Sequence, residues 1–177
     1  VNPSPIILAE YGFKKRQAEL ERERLSRLRH TPAVTMDDQR VELLANIEMP
    51  EDAPAALAVG AVGVGLFRSE FLFMGRIGAL PDEEEQFQAY RRAVEGMQGL
   101  PVTIRTVDIG ADKPLDRAHK EDTHLNPALG LRAIRWSLAD PAMFLTQLRA
   151  VLRAAAFGQV NLLIPMLAHA REIKQTF

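Results

Sequence analysis

An α/β fold with a parallel sheet is what this sequence predicts, and three observations predict it. Apolar runs of strand length, near residues 41–47, 62–67, 102–107 and 160–166, alternate with segments whose apolar residues recur at helical spacing. The runs are near-continuous rather than broken by alternate polar residues, as in strands covered on both faces. Two of them lead straight into an arginine, Arg68 after Val62–Phe67 and Arg105 after Val102–Ile104. The order is a leading helix followed by four strand-then-helix units. That fits half of an eight-stranded β/α barrel, or a small open sheet.

Val1-Asn-Pro-Ser-Pro5 reads as a connection. From Ile7 to Leu28 the residues turn helical and charged, with a thin apolar stripe through Tyr11, Ala18, Leu25 and Leu28. So narrow a stripe predicts a solvated linker helix, and its mixed charges an ordinary wet face rather than an anion-binding one. His30-Thr-Pro32 ends it, because proline disfavours helix at the residue before it. Val41–Ile47 is the first predicted strand. Met49-Pro50-Glu51-Asp52 opens a short helix through Leu57 that stops at Gly60. After the second strand comes Leu80-Pro-Asp-Glu-Glu-Glu85, whose four carboxylates in a row raise a divalent-metal site. Asp82 as N-cap, Glu85 as capping-box partner, and Phe87, Tyr90, Val94 and Met97 at helical spacing make it a helix start instead. The third strand runs into a long loop, Asp108 to Asn126. Asp140-Pro141 is a second N-cap with proline at the first helical position, and that helix carries Phe144, Leu148, Val151 and Leu152 to Gly158. The fourth strand is Val160–Met166. A helix begins at Ala168, and a chain ending in a helical pattern without a stop signal reads as cut.

Composition narrows the function classes. A chain of 177 residues with 47% apolar content can bury a substantial core. Its net charge of −1 supplies no basic field for nucleic acid or an anionic membrane. No apolar run reaches the roughly 18 residues of a membrane span, and no signal-peptide pattern opens the chain, so the expected location is cytoplasmic. Zero cysteines leave no disulfide and no thiol chemistry. His30, His119, His124 and His169 show no ligand spacing, and no metal site is expected in this chain.

The chemistry is expected at the strand ends. If the strands before Arg68 and Arg105 lie side by side and parallel, both arginines emerge at the carboxyl edge of the sheet, where α/β proteins bind ligands. Two forked guanidinium groups there suit an oxyanion, phosphate above all. By position alone, Arg68 fits a rim ion pair with Glu70 or Asp108 as well as it fits a ligand site. Asp108 and Asp112 fit arginine-orienting carboxylates better than metal ligands. Lys113 reads as a loop cation beside the anion or as plain exposed charge. Arg132, after Pro127 and Gly130, reads by periodicity as an ordinary helix arginine, and His119 and His124 as solvated.

Five motifs carry a resemblance along nearly the whole chain. They are Gly-Val-Gly-Leu-Phe-Arg68-Ser-Glu70-Phe-Leu-Phe-Met, Leu80-Pro-Asp-Glu-Glu-Glu-Gln86 and Arg105-Thr-Val-Asp108-Ile-Gly-Ala-Asp112-Lys113, then Asn126-Pro-Ala-Leu-Gly-Leu-Arg132-Ala-Ile-Arg135 and Gln147-Leu-Arg-Ala-Val-Leu-Arg153-Ala-Ala-Ala156. In this order they resemble enzyme I of the bacterial phosphoenolpyruvate:sugar phosphotransferase system, the phosphoenolpyruvate–protein phosphotransferases. The resemblance implies the first half of a TIM-type (β/α)8 barrel over 36–177, which binds phosphoenolpyruvate. It also implies that 1–35 is a linker helix from an upstream phosphohistidine domain. It further implies that Arg68, Arg105 and Arg132 hold the phosphoryl group, with Glu70, Asp108, Asp112 and Lys113 in support. Transfer would run in line to a histidine outside this chain and on to the phosphocarrier protein of the sugar system, in a homodimer that needs Mg²⁺.

The resemblance also places parts outside the chain. The Mg²⁺ ligands and the family's cysteine are expected beyond Phe177, so no catalytic residue and no metal ligand is assigned here, and the isolated chain is expected to be inactive. Two positions depart from the usual pattern: Ala111 where a second glycine is common, and Ser69 where threonine is frequent. Neither change is expected to abolish binding. A phosphoenolpyruvate synthase or pyruvate phosphate dikinase shares a looser version of the same barrel, and a non-catalytic binding and dimerisation module is a further alternative. A half barrel would also leave apolar strand residues open to water, with Ile47, Leu66, Ile104 and Ile164 as the positions to inspect.

Overall fold

The computed structural model describes residues 2–76, 79–109 and 127–177. They divide into two compact units, Val1–Glu42 and Leu43–Phe177. In the first unit, Pro5–Ser26 forms α1, with the Ser4 hydroxyl accepting the Ile7 N–H at 3.4 Å and Pro5 in the first turn. The helix buries none of its residues and is laced by surface pairs such as Lys14–Glu10 at 2.6 Å. A 3₁₀ turn, Arg27–His30, finishes it just ahead of Pro32. Beyond it, an antiparallel bridge joins Val34 to Arg40 across a tight turn in which Asp38 has φ 60°.

In the second unit, β1 (Ala45–Ile47), β2 (Val64–Arg68), β3 (Val102–Arg105) and β4 (Val160–Leu163) form a sheet in sequence order, every pairing parallel. The helices between them are α2 (Ala53–Ala58), α3 (Glu83–Gly96), α4 (Ala133–Ala139) and α5 (Pro141–Ala154), and α6 (Ala170–Thr176) comes last. The parallel α/β order is therefore as the sequence predicts. Among the described residues the sheet has four strands, with β1 and β4 at its edges.

The strand limits differ from the expected ones for physical reasons. Residues 41–44 are apolar apart from Glu42 but are not strand: Val41, Leu43 and Leu44 are exposed, and the pairing thins to one bond from Val62 N–H to Leu43 O at 3.1 Å. β3 stops at Arg105 rather than 107. Thr106 N–H still donates to Leu163 O at 2.9 Å, but Val107 N–H leaves the sheet for the Gln147 side chain. β4 stops at Leu163 because Pro165 has no N–H to give and Met166 turns the chain with φ 62°.

Register decides which face is covered. Ile47, Phe67 and Ile104 are neighbours across the sheet, as are Val64 and Val102, and all five are buried against α2, α3 and α5 through residues such as Ala53, Tyr90, Val94, Ala150 and Val151. Ile47 and Ile104 therefore lie on the helix-covered face, not on an open one. Leu66 and Ile164 are half-buried. The other face carries Asn46, Leu66, Thr103 and Asn161. Gly63 permits the close approach of strands: a Cβ there would stand 2.8 Å from the Pro101 carbonyl oxygen. A second, smaller core of Phe73, Val107, Ile109 and Met143 lies under the segments that follow β2 and β3. No helix among the described residues is long and apolar enough to cross a membrane.

Candidate functional site

Arg68 and Arg105 are the last residues of β2 and β3, and they are Cα partners in the parallel register. Adjacent strands run about 4.8 Å apart, so the two guanidinium groups start from neighbouring points on one edge. Each is preceded by an anchor on the covered face. Phe67 meets Tyr90 edge-on with ring centroids 5.8 Å apart, and Ile104 is fully buried. Apolar residues thus fix the level at which each arginine leaves the sheet.

The chain after β2 turns at once into a 3₁₀ segment, Ser69–Leu72, which folds Glu70 back into the protein. Its side chain is fully buried and is ion-paired with Arg105 Nη2. Arg105 Nη1 lies 3.4 Å from Asp108 Oδ2, and the other oxygen of that carboxylate accepts from Arg132 Nε at 3.3 Å and Nη2 at 3.0 Å. Arg132 stands at the N-cap of α4, where Ala133 takes φ 49° to turn the chain into the helix. Arg105, Asp108 and Arg132 form one continuous group, only 15–19% exposed. Arg68 instead donates from Nη1 to Glu48 Oε1 at 2.8 Å, across the carboxyl ends of β1 and β2. Arg105 Nε, like the buried hydroxyls of Thr106 and Ser137, has no hydrogen-bond partner among the described residues.

Beneath the arginines lies a buried amide. Gln147, from α5, accepts the Val107 N–H at 2.9 Å and donates through Nε2 to Ser69 Oγ and to Tyr90 Oη, both at 3.0 Å. The Tyr90 hydroxyl in turn donates to Gln86 Oε1 at 3.1 Å, and Gln86 donates to Pro81 O at 2.9 Å. Burial pushes the Tyr90 phenol far above its ordinary range, outweighing the hydrogen bonds from Gln147 and Ser69. One side chain therefore ties the residue after Arg68 to the second residue after Arg105.

Of the residues singled out by the sequence, Arg68, Glu70, Arg105, Asp108 and Arg132 are placed at this strand-end edge. Asp112, Lys113, His119 and His124 lie outside the described residues. The acidic stretch at 82–85 lies apart from the arginines. Asp82 Oδ1 caps α3 by accepting the Glu85 N–H at 2.8 Å, Glu85 pairs with Arg76, and Glu83 and Glu84 pair with Arg153 at 2.9 and 2.6 Å. The capping half of that reading holds, but Glu85 turns to an arginine rather than back to the cap. His169 begins α6, where Glu172 accepts the Ala168 and His169 N–H groups. Among the described residues no group of three or more His, Cys, Asp or Glu side chains could hold a metal ion. Glu48 and Gln147 carried no local signal of their roles. Glu48 looks like acid before a helix start, and Gln147 like one polar residue on an amphipathic helix.

Residues 22–177 match the family model described as PEP-utilising enzyme, PEP-binding domain. Three similar curated proteins are each named phosphoenolpyruvate-protein phosphotransferase. The one from Cupriavidus necator is 71% identical over 177 residues, 99% of this chain and 30% of its own length. That from Geobacillus stearothermophilus is 48% identical over 177 residues, again 99% and 30%. That from Staphylococcus carnosus is 45% identical over 174 residues, 98% and 30%. The chain thus spans about 30% of the length of the curated relatives it matches.

Proposed function

This chain belongs to the PEP-utilising enzymes, as their PEP-binding domain, and from that membership we propose that its strand-end arginines hold the phosphoryl group of phosphoenolpyruvate. The protein containing it would be a phosphoenolpyruvate–protein phosphotransferase, passing that group to a histidine elsewhere in the protein and on to a phosphocarrier protein. The observation that carries this reading is the register pairing Arg68 with Arg105 at the carboxyl ends of adjacent parallel strands. Arg105 Nε supports it, being a buried, charged donor that has no acceptor among the described residues.

Phosphoryl transfer asks a protein mainly to position the group and neutralise its equatorial oxygens. Arg68 and Arg105 would bind those oxygens from one side, with Arg132 as the third cation. Glu70 and Asp108 would fix the guanidinium planes, since each already accepts from an arginine. Those carboxylates are poor candidates for Mg²⁺. Glu48, Glu70 and Asp108 all face guanidinium groups, so we propose that the ion's ligands come from other parts of the protein. Closure of the sheet into a full barrel and a homodimer belong to the same proposal. The names of the three relatives favour phosphotransfer to protein over a dikinase.

The test is calorimetric titration of phosphoenolpyruvate into the full-length protein and its Arg105→Lys variant. Lysine keeps the charge but loses the fork and leaves buried Glu70 poorly matched, so affinity should fall roughly ten- to a hundredfold, the span of a charged hydrogen bond. An unchanged dissociation constant would remove Arg105 from the site.

A further inference from the structure

We infer that Glu48 is a displaceable counter-ion: it holds Arg68 when the site is free and gives Arg68 up to the phosphoryl group when the ligand enters. This rests on the phosphoenolpyruvate reading of the arginines. It adds a residue that the sequence motifs do not include.

The three carboxylates at the site are held very differently. Glu70 is completely buried, so leaving Arg105 would strand a charge out of water. Asp108 is 15% exposed and bridges Arg105 and Arg132, so its departure would take a carboxylate contact from two cations at once. Glu48 is 46% exposed, and among the described residues its ion pair is to Arg68 at 2.8 Å. Its carboxylate can swing into solvent at small cost, since exposed ion pairs contribute little. The backbone beneath it stays put: Glu48 and Met49 N–H both donate to Asp52 Oδ2, at 3.1 and 2.9 Å. The side chain is thus a mobile arm on a fixed base.

Placement makes the exchange direct. Ile47 is the Cα partner of Phe67, so Glu48 stands beside Arg68 on the same strand-end edge. An anion reaching Arg68 from that edge meets the Glu48 carboxylate already on the guanidinium. A phosphoryl group brings a greater charge and can engage the fork through two oxygens, so it wins the exchange. Until then Glu48 holds the Arg68 guanidinium at the carboxyl ends of β1 and β2. The consequence is a deliberate weakening of affinity, since part of the binding energy goes to displacing the carboxylate.

The experiment is titration of the full-length protein with phosphoenolpyruvate and, separately, with inorganic phosphate, comparing wild type and Glu48→Gln. Glutamine can still accept from Arg68 and keep it placed, while its charge is gone. Both dissociation constants should fall about two- to fivefold, the range that an exposed ion pair supports. In an Arg68→Gln background the same substitution should change neither constant. Unchanged or weaker binding by Glu48→Gln, with wild-type binding intact, overturns the displacement role and leaves the arginine site standing. An equal gain in the Arg68→Gln background overturns it too, by showing a general field effect rather than exchange at Arg68. Failure of the wild type to bind phosphoenolpyruvate overturns both the exchange and the function on which it rests.

Discussion

Replacing Gln147 with leucine tests whether one buried amide sets the geometry of the arginine edge. Leucine fills nearly the same volume, so the effect comes from polar partners and not from a cavity. Three hydrogen bonds vanish: those to Val107 N, Ser69 Oγ and Tyr90 Oη. All three partners are fully buried, so none recovers its bond from water. Tyr90 keeps Gln86 as a partner, while the Val107 N–H becomes an orphan. At about 1 kcal/mol net for each lost bond, with more for a stranded donor, the loss comes to about 3 kcal/mol. That is a large share of a typical total of roughly 5–15 kcal/mol. Urea unfolding of the full-length protein, followed by circular dichroism, should show the midpoint falling by about 1.5 M if the slope is near 2 kcal/mol per molar. Phosphoenolpyruvate affinity should fall as well, because Ser69 and Val107 flank the two strand-end arginines. A stability loss under about 1 kcal/mol with unchanged affinity would refute the claim that Gln147 couples the strand ends.

Gly158→Ala should destabilise by about 1–3 kcal/mol through overpacking. The new Cβ would stand 2.7 Å from Val94 Cγ1, and valine in a helix has essentially one rotamer to offer. The backbone at Gly158 is extended, with φ 166°, so any loss comes from that contact; chemical denaturation showing wild-type stability would mean α3 yields easily. Tyr90 gives a pH prediction. Its phenol is held neutral in the fold, whereas in the unfolded chain it titrates near its ordinary value of 10.0, so its contribution is present below that pH and is lost as the pH rises through it. Measured between pH 9 and 11, wild-type stability should drop more steeply than that of Tyr90→Phe, by up to about 1.4 kcal/mol per pH unit. Parallel curves for the two proteins would show that the phenol ionises as freely in the fold as in the unfolded chain.

What could be read from the sequence was whatever is decided within a few residues. Asp82 and Asp140 cap helices because a carboxylate three residues ahead of a free N–H needs nothing from the rest of the chain. Pro32 sets a limit for the same local reason, whereas the expected strand to Met166 runs past the stop that Pro165 imposes on β4. The parallel order follows from apolar runs separated by helices, and Arg68 and Arg105 could be placed on one edge because each follows such a run. Strand ends were less legible, since an apolar residue is equally content in a sheet or in a core. Val107 continues the run of β3, yet its N–H turns to Gln147, 40 residues away. Partners were least legible of all. Glu48 lies 20 residues from Arg68, Glu70 lies 35 from Arg105, and Gln147 lies 78 from Ser69. Only folding brings these together. An arginine's identity is thus written locally, but the counter-ion that a ligand meets beside it is not. Arg105 faces a carboxylate that cannot leave, Arg68 one that can, and this difference in burial rather than any motif decides which arginine the ligand must compete for.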